Sequence, residues 1–134
     1  MTLDRLAVGI TVVIVVSGSK GREYTEKATK VLEKLDELDS GLGVGYNIMA
    51  YSEKLREVTA AYDSLASWCS EKDKQRESFL AISLAVLTYQ TAHDEWNSAV
   101  SSTYGHVSKT SLQEQWAVAS KAIEEAHAKL NKGN

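Results

Sequence analysis

The chain has 134 residues, enough for one domain whose core can fold on packing alone, without the disulfides or metals that chains below about 40 residues need. Its 15 basic and 18 acidic residues leave a net charge of −3, and no helix face collects Lys and Arg without interleaved Asp and Glu, which argues against nucleic acid as a partner. The lone Cys69 excludes an intramolecular disulfide and reads as a small buried hydrophobe near a helix end, while the absence of proline fits an all-α chain.

Leu6 to Val16 (LAVGITVVIVV) is an uncharged run followed by Ser17-Gly18-Ser19-Lys20-Gly21. It is too short for a spanning helix, which takes about 20 apolar residues. Three readings stay open. Arg5 and the terminal amine before it, with Ser17 and Ser19 after it, fit an export signal, and position 19 carries serine where a lipoprotein would carry cysteine. The run could instead form a short membrane anchor or a helix packed in an apolar groove. Its β-branched residues also suit a strand, in which case SGSKG would be a phosphate-cradling loop, although it lacks the spacing of the known phosphate and dinucleotide motifs.

Tyr24, Ala28, Val31, Leu32, Leu35 and Leu38 share one helical face, which predicts a first helix over 22–39. Asp39 to Gly45 holds three glycines in five residues, predicting a reversal that passes beneath Tyr46. Asn47 is an expected N-cap for a second helix over 47–69, whose seam is Ile48, Tyr51, Leu55, Val58, Tyr62, Leu65 and Cys69. Ser70 and Asp73 resemble a capping pair at a helix-helix turn, though one continuous helix would also keep the register.

A third helix over 71–104 carries Phe79, Ile82, Val86, Tyr89, His93, Trp96 and Val100 on one face and ends at Tyr104-Gly105; it is expected to overhang its partners or cover the N-terminal run. Beyond a 106–109 loop, Thr110 and Gln113 fit a capping box for a fourth helix over 110–131, with Leu112, Trp116, Ala119, Ile123, Ala126 and Leu130 as its seam. The fold expected is an all-α, four-helix, up-and-down antiparallel bundle over 22–134, preceded by an apolar segment over 1–21.

Chemistry finds little support. Glu124 and His127 have ExxH spacing, but a di-iron bundle needs that pair twice, so they read as surface residues; no metal or other cofactor is expected. No serine lies in a GxSxG elbow, and His93, Asp94 and Glu95 point in different directions on a helix. The candidate ligand-binding residues are the polar rings of the seams: Tyr51, Tyr62, Tyr89, His93, Trp96 and Trp116. These either satisfy one another in an ordinary core or line a pocket between helices.

Three passages, GVGYNIMAYSEKLREV, YQTAHDEWNSAV and LQEQWAVASKAIEEAHAKL, loosely resemble small helical bacterial proteins of unknown function that carry an export signal before a Leu-rich first helix. In these a Gly-Val-x-Tyr junction, here Gly43 to Tyr46, opens the second helix and a Leu-x-x-x-Trp helix, here from Leu112 to Trp116, closes the chain. The likeness covers about residues 28 to 130, implies export, and brings no catalytic residue. The resulting expectation is a non-enzymatic cell-envelope protein that binds an unidentified protein partner, with possible membrane association through Leu6–Val16. The alternatives are a small-ligand carrier using the aromatic core and an α/β-type phosphate or nucleotide binder using SGSKG.

Overall fold

A computed structural model describes the backbone over residues 10–101 and 109–133 and the side chains over 21–100 and 110–133. The described residues form four helices, α1 (Ile10–Val44), α2 (Ile48–Trp68), α3 (Glu77–Ser101) and α4 (Lys109–Asn131), with a 3-10 turn, Asp73–Gln75, before α3. The chain is all-α, and no strand occurs among the described residues.

Two expectations are corrected at the N-terminus. Ile10 to Val16 is helical rather than a strand, and Ser17 to Gly21 continues the same helix. A helix interior already uses its amide N–H groups on its own carbonyls, so SGSKG cannot form the loop that a phosphate binder needs. The longest helix is α1, not the third, because the apolar run and the bundle face join without a break. Trp68, the last residue of α2, meets Glu23, and Ser78 near the start of α3 meets Tyr24. It is therefore α1 that runs on past the level where two of its partners begin and end. Leu6 to Gly9 lie outside the described residues.

The expected reversal comes later than the first glycine suggests. Gly41 and Gly43 stay helical and Gly45, at φ 114°, ends α1. The amides of Gly45 and Tyr46 both donate to the Gly41 carbonyl, at 2.9 and 3.1 Å, the pattern of a glycine C-cap. Tyr46 folds back so closely that a Cβ on Gly41 would clash with its ring. Gly41→Ala should therefore force the ring aside. In a Tyr46→Ala background the same change should stabilise by up to about 1 kcal/mol through helix propensity. Thermal melts of the two single variants and the double variant measure that coupling; additivity would mean that the ring does not pack there.

At the next junction Asn47 caps α2, its side chain accepting from the Ala50 amide at 2.8 Å. Helices two and three are separate. Ser70 Oγ donates to Asp73 Oδ2 at 2.9 Å and accepts from the Asp73 amide at 3.2 Å, so the predicted pair caps a 3-10 turn and the third helix starts later than expected, at Glu77. Burial pushes the Asp73 carboxyl up, but hydrogen bonds from Ser70 and Arg76 outweigh it and hold the group below its ordinary range. Burial pushes the Cys69 thiol up, keeping it in the protonated form of an inert buried cysteine. The predicted end of the third helix at 104–105 and most of the 106–109 loop fall outside the described residues; Lys109 is already helical, which puts Thr110 in the first turn of α4 rather than at its cap.

Cross-helix pairs fix the order. Lys34 meets Glu57 and Lys54 meets Glu37 between α1 and α2; Gln90 meets Thr59 and Tyr62 meets Ser83 between α2 and α3; Gln115 meets Glu95 and Lys129 meets Glu77 between α3 and α4. In each case one number falls as the other rises, so consecutive helices run antiparallel. His127 of α4 reaches back to Asp36 of α1 at 3.0 Å, so its partner is across the helices and not Glu124. The core follows the predicted faces closely: all six residues named for α1 are buried, and so are Tyr51, Leu55, Val58 and Leu65 of α2, Phe79, Ile82, Val86 and Tyr89 of α3, and Leu112, Ala119, Ile123 and Ala126 of α4. Val100, assigned to the face of the third helix, is instead exposed.

The α1–α2 charges make a pH-dependent seam. Lys54 lies 2.8 Å from Glu37 and 3.2 Å from Glu57, and Lys34 lies 3.1 Å from Glu57. Bonding to Lys54 depresses Glu37, bonding to Lys34 and Lys54 depresses Glu57, and Lys54 is raised by both carboxylates. A depressed carboxyl contributes stability that is present above its ordinary value of 4.5 and is lost as pH falls through the lower folded value. The melting temperature should thus drop on acidification below that point, and the drop should shrink in Lys54→Ala or in ~1 M salt, since these groups are solvent-screened. An acid limb unchanged by Lys54→Ala would remove the seam as its cause.

Candidate functional site

Four of the six candidate rings, Tyr51, His93, Trp96 and Trp116, converge where α2, α3 and α4 meet. Tyr51 is fully buried at the centre, with the His93 ring edge-on at 5.1 Å and Trp96 and Trp116 each at 6.0 Å; the two tryptophans are themselves 6.0 Å apart. The α2 seam brings Tyr51 inward, and seam positions three and four residues apart on α3 place His93 and Trp96 around it. Tyr89 joins through its backbone, its carbonyl accepting the Tyr51 hydroxyl proton at 2.6 Å. Tyr62 does not belong to the group. It stacks on Phe79 at 5.8 Å and bonds Ser83 at 2.7 Å, three turns of α2 away.

The polar atoms of this junction form a chain of hydrogen bonds. Trp116 Nε1–H donates to the Tyr51 hydroxyl at 3.3 Å, and the Tyr89 hydroxyl donates to Asp39 Oδ1 at 2.9 Å. Ser120 donates to the other Asp39 oxygen at 3.3 Å, so one carboxylate of α1 ties α3 to α4. Burial raises the Tyr51 phenol far above its ordinary range, and burial together with the Asp39 charge does the same to Tyr89. Neither phenol can serve as an acid or base near neutral pH.

Ser52 and His93 stand in hydrogen-bond contact through Ser52 Oγ and His93 Nε2, with Asp94 Oδ1 at 3.6 Å from His93 Nδ1. The residue types are those of a hydrolytic triad, but the spacing is not. Ser52 Oγ also lies 2.9 Å from the Ile48 carbonyl, to which its hydroxyl can donate. The Asp–His separation of 3.6 Å is too long for the hydrogen bond that orients a general base. Both residues also sit inside helices, where the backbone N–H groups are already used and cannot form an oxyanion hole.

Three clefts bounded by described residues open on the surface. One lies between α3 and α4 and has a volume of about 430 Å³, bounded by Leu84, Val118, Lys121, Ala122, Glu124 and Glu125. A second lies beside Gly41 and Tyr46, and the third runs along Ser52, Arg56, Thr59 and Gln90. None of the three is walled by Tyr51, Tyr89, His93 or Trp116. Among the described residues, no three His, Cys, Asp or Glu side chains gather closely enough to hold a metal.

A feature that the seam analysis missed stands out on α3. Leu80, Leu84 and Leu87 are exposed, with Val118 of α4 beside them, all four at 48 to 59% of their full accessibility. They are spaced by four and three residues and so form a second apolar stripe, opposite the buried one. The sequence carries a signal for it: Ser78 to Ala92 contains no charged residue, so α3 is apolar on both sides, which is unusual for a helix with one side in water. No family model, curated protein or solved structure matches this chain.

Proposed function

We propose that the protein is a non-enzymatic helical component of the bacterial cell envelope that acts by binding another protein through the outer face of α3 and α4. The observation carrying this reading is the exposed Leu80–Leu84–Leu87 stripe with Val118, a contiguous apolar surface of the kind that marks interaction sites. The closed hydrogen bonding of the aromatic junction supports it over the ligand-carrier reading, since Tyr51, Tyr89 and Trp116 spend their polar atoms on one another and on Asp39. An envelope location is supported by Leu6–Val16, as an export signal or a membrane-associating segment, and by the resemblance of the three passages. Among the described residues no helix is long and apolar enough to cross a membrane. Expression in a bacterial host, followed by fractionation and intact mass measurement, tests the location: periplasmic or membrane-bound protein is expected, and soluble cytosolic protein with Met1 intact would overturn it.

A further inference from the structure

We infer that the N-terminal run is a removable export signal, cut between Ser19 and Lys20 by a membrane endopeptidase that recognises small side chains, so that the working protein begins at Lys20. This rests on the envelope reading and narrows it, choosing a cleaved signal over a retained membrane-associating segment.

The bundle is complete without the run. Trp68 at the end of α2 meets Glu23, Ser78 near the start of α3 meets Tyr24, and Lys129 near the end of α4 meets Glu77, so the three partners of α1 all stop close to the level of Tyr24. The helix backbone from Ile10 to Ser19 runs on past that level by about 15 Å. Tyr24 is also the first buried residue among the described side chains. A chain starting at Lys20 keeps the whole buried face of α1, and it keeps the Gly21 carbonyl that accepts the Thr25 hydroxyl at 2.9 Å.

A retained run has no favourable surroundings. In water, Leu6 to Val16 would add an apolar surface beyond the end of the bundle. In a bilayer, the uncharged stretch from Leu6 to Ser19 would reach roughly 21 Å as a helix against a hydrocarbon core of about 30 Å, leaving Asp4 and Arg5 inside the core. A helix lying in the membrane interface needs a polar face, and between Leu6 and Val16 only Thr11 is polar. The length of the run instead suits the apolar centre of a secretory signal, about 7–15 residues.

Side-chain size places the cut. Such peptidases take small residues one and three positions before the bond, and Ser19 and Ser17 supply both just beyond the run. A cut after Ser17 or Gly18 would put Val15 or Val16 at the outer position. A cut after Gly21 would set Lys20 between the two small residues and remove the partner of Thr25. Hydrolysis breaks the bond between the Ser19 carbonyl carbon and the Lys20 nitrogen; water gives its hydroxyl to the carbon and a proton to the nitrogen. The helix offers little resistance there, since serine and glycine are poor helix formers and Ser17 to Ser19 lie past the ends of the partner helices.

Expression of the full chain in a bacterial host, with fractionation and mass spectrometry of the N-terminal peptide, tests this. The expected product is periplasmic, starts at Lys20 and unfolds cooperatively on heating. Ser19→Leu, which sets a large side chain against the peptidase, should lose the shortened form and leave the uncut chain in the membrane fraction, while Ser19→Ala should be cut like the wild type. Pulse labelling reads the cut before any later degradation. An uncut wild type in the membrane fraction overturns the cleavage and leaves the envelope reading standing, whereas an uncut wild type in the cytosol overturns both. A product that starts at another residue, a Ser19→Leu variant still cut at the same bond, or a shortened product without a cooperative melt also overturns the inference.

Discussion

Tyr51→Ala should lower the free energy of unfolding by about 3–5 kcal/mol, the range for removing a fully buried aromatic side chain. Tyr51 has no exposed surface and touches rings from two other helices, His93 and Trp96 on α3 and Trp116 on α4. Truncation would leave a cavity where three helices meet, and because the neighbouring rings are large and rigid it would collapse only partly. Tyr51→Phe separates the hydroxyl from the ring. It removes the donor to the Tyr89 carbonyl and the acceptor for Trp116 Nε1–H, leaving partners unsatisfied at about 1–3 kcal/mol. Urea denaturation of both variants measures the two contributions. A loss below about 0.5 kcal/mol for Tyr51→Ala, the level of a surface change, would show that the junction does not hold the helices together.

Asp39→Ala should cost about 1.5–3 kcal/mol, because a charged acceptor is removed from the buried Tyr89 hydroxyl and from Ser120 at once. Tyr89→Phe removes the donor instead. If the bond matters, the double variant should be less destabilised than the sum of the singles by at least about 0.5 kcal/mol, and strict additivity would show that it does not. The same contact predicts an alkaline limb. Burial and the Asp39 charge raise Tyr89 above its ordinary value of 10.0, so as pH climbs past that value the unfolded chain releases a proton that the folded one retains. Stability is therefore complete below pH 10.0 and is lost above it. Tyr51 and Tyr24, both raised by burial, act in the same direction. Tyr89→Phe should weaken this alkaline loss without touching the acid limb set by Glu37 and Glu57.

These effects centre on residues that the seam pattern had singled out, with one exception. Asp39 sits at the start of a glycine-rich stretch and carries no periodic signal, so nothing local marks it as the anchor of a buried phenol. Its partners are 50 and 81 residues away in sequence. Ser78 is similar: it is fully buried, 2.7 Å from the Tyr24 hydroxyl, and no predicted face includes it. Polar residues that find a partner across the fold look the same in sequence as polar residues that face water.

The aromatic rings show the same limit from the other side. Their positions on α2, α3 and α4 follow from spacing, yet spacing treats Tyr51 and Tyr62 alike. Antiparallel registration separates them, placing Tyr51 among three rings and Tyr62 against Phe79 and Ser83. Registration also brings together Ser52 and His93, which are 41 residues apart in sequence and in hydrogen-bond contact.

The amino-acid sequence by itself determined that the chain is helical, where its turns lie to within a few residues, and which face of each helix is buried, because a 3.6-residue period and local capping groups are properties of short segments. The tertiary structure decided that Ile10 to Val16 are helical and continuous with the rest of α1, that the polar rings close on one another and on Asp39, and that Leu80, Leu84 and Leu87 remain outside. The last two depend on which helices are neighbours, and among the described residues only one side of α3, apolar on both, is buried against the other helices.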